Sequence, residues 1–68
     1  MTNKTFYALN YAKCVESCAR KIADSIVKMD QAAENGDLEL LEQYEKMAHL
    51  DLGAIESYVE KIKAGLKD

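Results

Sequence analysis

Eight apolar residues mark one unbroken seam along the first half of the chain: Ala8, Ala12, Val15, Ala19, Ile22, Ile26, Met29 and Ala33. Their spacings alternate between four and three. That period belongs to a helix packed along its length against other helices, as in a coiled coil or helix bundle. A strand alternates every second residue, and no such alternation runs through this segment. The seam therefore predicts a helix from about residue 4 to residue 34, some 45 Å long at about 1.5 Å per residue.

The ends of this helix are also legible. Thr2, Asn3 and Thr5 can each cap a helix start, because their side-chain oxygens accept from free backbone N–H groups. At the other end Asn35, Gly36 and Asp37 form the predicted turn. Gly36 suits a left-handed closing residue and Asp37 caps the next helix. A second helix is predicted over about 38–66, with the stripe Leu38, Leu41, Tyr44, Ala48, Leu52, Ile55, Val59, Ile62 and Leu66. Gly53 interrupts it at a cost of about 1 kcal/mol relative to alanine. A break near His49–Asp51 is the alternative, but the stripe keeps its phase across Gly53, which favours one continuous helix. Proline is absent.

Two long helices joined by so short a turn lie antiparallel. Residues 1–68 thus read as one all-α domain, a helical hairpin. A chain of 68 residues supplies a small core and usually needs a staple. Cys14 and Cys18 sit four apart on one helix, a poor geometry for a disulfide. The remaining staple is a second copy, and the expected architecture is a homodimeric four-helix bundle with two-fold symmetry. Small residues on helix 1 would face large ones on helix 2 across its layers. No apolar run approaches the roughly 18 residues of a membrane span, and Met1–Tyr7 lacks the apolar stretch of a signal peptide. The expectation is a cytoplasmic protein with reduced thiols and no membrane partner.

The net charge of −3 is unevenly spread. Residues 1–33 carry five cations against three carboxylates; residues 37–68 carry eight carboxylates against four lysines. Opposite charges on the two helices attract across a bundle, or face different partners. Taking Ala12 as heptad position a, Tyr7, Cys14, Lys21 and Lys28 fall at c, Tyr11, Cys18 and Ser25 at g, and Asn10 at f. Lysines for phosphates and planar groups for bases are what an RNA surface requires. The alternative is that g residues cover the seam and c residues are solvated.

Ala8-Leu9-Asn10, Ala12-Lys13, Ser17 and the spacing of Ile22, Ile26, Met29 and Asp30 resemble helix 1 of the Rop (repressor of primer) family. The resemblance begins at Met1-Thr2 and covers about the first 30 residues. It implies a homodimeric four-helix bundle that binds paired RNA loops through its helix 1 face. Of the RNA-contacting positions that it implies, Asn10 is kept, while an aromatic is replaced by Cys14, a glutamine by Cys18 and a lysine by Ser25. Tyr7, Tyr11, Lys21 and Lys28 lie on the same flank as candidate substitutes. The RNA-binding candidates are therefore Asn10, Cys14, Lys21 and Lys28, with Tyr7, Tyr11 and Cys18 at the margin.

Other functions leave fainter marks. Glu39, Glu42, Glu45, Glu56 and Glu60 make helix 2 acidic, which suits a protein-interaction module acting on a basic partner. Cys14 and Cys18 share a helix face and are suited to a soft metal, with four sulfurs if a second copy contributes its own pair. His49 follows Glu45 by four, so the Glu-x-x-His pattern of di-iron bundles is absent. No nucleophile and base are paired and no glycine-rich phosphate loop is present. The expectation is no enzyme, no cofactor and no metal.

Overall fold

The computed structural model describes residues 1–67 and contains two helices, α1 (Asn3–Glu34) and α2 (Leu38–Leu66), with no strand among the described residues. Helix α1 starts at Thr2, whose hydroxyl accepts from the Thr5 N–H at 3.3 Å. Gly36, at φ 69°, closes α1. The Gly36 N–H donates to the Ala33 carbonyl at 3.1 Å and the Asp37 N–H to the Ala32 carbonyl at 2.9 Å. These are the paired bonds of a Schellman closure, which needs a residue at positive φ. Asp37 then serves the next element, because its carboxylate accepts from the Leu40 N–H at 3.1 Å and caps α2. Glu39 in the first turn and Lys63 in the last complement the α2 dipole. Helix α2 runs through Gly53 without a break.

The hairpin measures 51 × 15 × 10 Å, a single layer two helices wide. The helices meet along Ala8, Tyr11, Val15, Cys18, Ile22, Ser25, Met29 and Ala32 on α1. On α2 the matching line is Leu41, Tyr44, Ala48, Asp51, Ile55, Tyr58, Ile62 and Gly65. Every one of these is buried or half-buried, and each line keeps the three-four alternation. At the open end a Cβ placed on Gly65 would lie 3.1 Å from the Ala8 Cβ and 3.1 Å from the Lys4 carbonyl oxygen. The Lys4 ammonium also donates to the Lys67 carbonyl there.

The seam within the hairpin is thus the d and g positions, not the a and d positions that the apolar pattern suggests. Ala8, Val15, Ile22 and Met29 do face α2. Of the other half of the expected seam, Ala19, Ile26 and Ala33 are exposed and Ala12 is half-buried. On α2, Leu38, Leu52 and Leu66 are left out in the same way, at 70%, 45% and 66% exposure. The reason is geometric. A helix in a two-helix layer can turn only one flank toward its neighbour, and here that flank is d/g; an a/d stripe facing the centre between two neighbours is the arrangement of a four-helix bundle. The residues that become buried are all small, namely Ala8, Cys18, Ser25, Ala32 and Ala48. They let the backbones approach, but one layer cannot enclose a large side chain.

Candidate functional site

Because successive residues turn by about 100° around a helix, positions a and c flank the d/g seam on opposite sides. The hairpin therefore has two unlike broad sides. The a side carries the exposed apolar residues just described, with Glu45 of α2 on the same row. On the c side stand Tyr7, Cys14, Lys21 and Lys28 from α1, and, with the seam residues Leu41, Ala48, Ile55 and Ile62 taken as d on α2, Leu40, Met47, Ala54 and Lys61 at c from α2.

Aromatic and cationic groups converge on this second side. The Lys28 ammonium lies over the Tyr44 ring, 5.4 Å from its centre. Lys61 lies over both Tyr11 and Tyr58, at 5.2 and 5.9 Å. Those two rings stack across the helix pair with centres 5.9 Å apart and planes inclined by 29°. Phe6 and Tyr7 meet edge to face at 5.8 Å. Between the helices runs a groove of about 300 Å³ lined by Lys21, Asp24, Ser25, Lys28, Tyr44, Met47 and Asp51. The one ion pair among the described residues is Lys63 with Glu60, so Lys21, Lys28 and Lys61 hold no carboxylate within ion-pair distance.

The candidates from the sequence divide on this geometry. Lys21 and Lys28, one heptad apart, share the groove. Tyr7 and Asn10 are exposed, Asn10 one position further round α1. Tyr11 is half-buried within the seam, stacked on Tyr58, and Cys14 is half-buried beside it, near Tyr58. Cys18 is buried within the seam and offers an RNA almost no surface, as does Ser25 at the other g position implied by the Rop resemblance. A g position is an outer flank only when the second helix packs on the other side, and here α2 covers it. Sequence reasoning missed Lys61, Tyr44, Tyr58, Met47 and Asp51. The two tyrosines look like core from their spacing. Lys61 and Met47 share the c position on α2, the signal that would have found them.

Tyr58 is electrostatically distinct. Its phenol is held above the ordinary value of 10.0, first by the negative charge of Cys14, then by burial and by the charge of Cys18. Both cysteines are free thiols. Among the described residues no three His, Cys, Asp or Glu side chains converge on one point. No helix is long and apolar enough to cross a membrane. Compared with family models, with curated proteins and with solved structures, the chain matches none.

Proposed function

We propose that this chain forms a homodimeric four-helix bundle of the Rop type and binds structured RNA on its c side. The carrying observation is the unlike character of the two broad sides. Lys21, Lys28 and Lys61 lie on one side among Tyr7, Tyr11, Tyr44 and Tyr58, and the exposed apolar a residues lie on the other. A second copy fits the a side, because the small Ala12, Ala19 and Ala33 of one helix complement the large Leu38, Leu52 and Leu66 of the other. Two-fold pairing sets small against large in every copy and leaves both c sides facing water. Lysine ammonium groups then contact phosphates, and the tyrosines offer faces on which unpaired loop bases stack. Asn10 donates and accepts hydrogen bonds at the edge of that surface.

The test is fluorescence anisotropy with a pair of complementary RNA hairpin loops across a range of salt concentrations. Affinity should fall as salt rises, and Lys21→Ala should lower the logarithmic salt slope by about one contact. Asn10→Ala combined with Lys21→Ala should abolish binding. Binding that ignores both salt and these changes, or none at low salt, overturns the reading. Capture of a basic protein without RNA would favour the acidic face of α2 instead.

A further inference from the structure

We infer that Cys14 and Cys18 form a two-coordinate thiolate site for Cu(I) within one hairpin. Cβ atoms four residues apart on a helix are about 5–6 Å apart. A disulfide needs about 3.5–4.5 Å between Cβ atoms, so the pair is held too wide to oxidise to one without unwinding α1. A metal held between two sulfurs spans a wider gap than a disulfide does, because two metal–sulfur bonds (about 2.3 Å each for zinc) replace one S–S bond of about 2.05 Å. The spacing that excludes the disulfide therefore admits the metal.

The ligand set selects the ion. Thiolates favour soft cations. Zinc takes four ligands, and no third metal-ligating side chain converges on this pair among the described residues. Cu(I), a soft d10 ion, accepts two sulfur ligands in a linear arrangement. Cys18 is buried and Cys14 half-buried; Tyr58, stacked on Tyr11, lies near both thiols. Such a setting sheds water from the ion. The Lys61 ammonium over both rings adds positive charge near a centre that is anionic when filled. Binding replaces two thiol protons by one Cu(I), giving a bis-thiolate of charge −1 and releasing two protons, with no change in oxidation state. This site does not depend on RNA binding.

The experiment is an anaerobic titration of the reduced full chain with Cu(I), in competition with a colorimetric Cu(I) chelator and followed by thiolate-to-copper ultraviolet absorption. One Cu(I) per chain is expected. Cys14→Ser should lose that uptake while keeping the helicity of the parent. Cys18→Ala, which preserves an apolar seam position, should lose it too. Uptake of one copper per two chains, no stoichiometric uptake, or uptake unchanged in Cys14→Ser overturns the inference.

Discussion

Tyr58 shows how one side chain registers its surroundings. It belongs to the seam by position, stacks on Tyr11 and lies near two thiols. Negative charge on neighbouring groups and burial both disfavour a phenolate at Tyr58. Its folded pKa is raised, and the sign of the linkage follows. Below the unfolded value both states hold the proton and this group imposes no pH dependence. Above it the unfolded chain releases its proton first, so stability falls as pH rises until the folded Tyr58 ionises as well. Spectrophotometric titration should show one late tyrosine step, which Tyr58→Phe removes. Replacing Cys14 with serine should bring that step earlier, because the largest cause of the shift is gone. A late step that survives Tyr58→Phe would assign it to another ring.

Within the helices, glycines separate local preference from packing. Gly53 and Gly65 are both helical. A Cβ on Gly53 meets nothing within 4 Å. Gly53→Ala should therefore realise the full gain in helix propensity, about 1 kcal/mol, and raise Tm by about 4–8 °C in a domain of this size. Gly65 lies where α2 crosses α1, and the atoms it would crowd include the Lys4 carbonyl oxygen, which is backbone and cannot rotate away. Gly65→Ala should give no gain and should lower Tm instead. Thermal melts followed by circular dichroism at one protein concentration compare the two. Equal stabilisation by both would mean that the helix ends do not approach as described. The turn behaves differently. Gly36 earns its place through positive φ rather than through space.

At the scale of the molecule the issue is how a layer 10 Å thick survives in water. No large side chain is enclosed in the hairpin, and domains this small rarely stand on one layer alone. The proposed dimer gives the a side a partner. It predicts that Leu52→Glu, a surface change in the isolated hairpin worth no more than about 0.5 kcal/mol, will instead dissociate the protein and lower its stability by about 2–4 kcal/mol, since it places a charge in the dimer core. Analytical ultracentrifugation and denaturant unfolding report both effects. A variant that keeps the mass and stability of the parent would show that the a side is not an interface. Dimer formation should also make Tm rise with protein concentration.

The sequence by itself determined the two helices, their ends and the turn, because period, caps and a closing glycine are local properties of a few neighbouring residues. Thr2, Gly36 and Asp37 act within five residues of the atoms they satisfy. It also showed which residues are apolar. Which flank of each helix meets the other was decided only in tertiary structure. An a/d stripe is consistent with a rotation toward either of two neighbours, and a rotation of one helix by about a sixth of a turn costs no local hydrogen bond. That rotation buried Cys18 and Ser25, exposed Ile26 and Leu52, and brought Lys61, Tyr44 and Tyr58 of α2 beside Lys28 and Tyr11 of α1. The candidate site belongs to the helix pair, and a pattern read along one helix at a time contains only half of it.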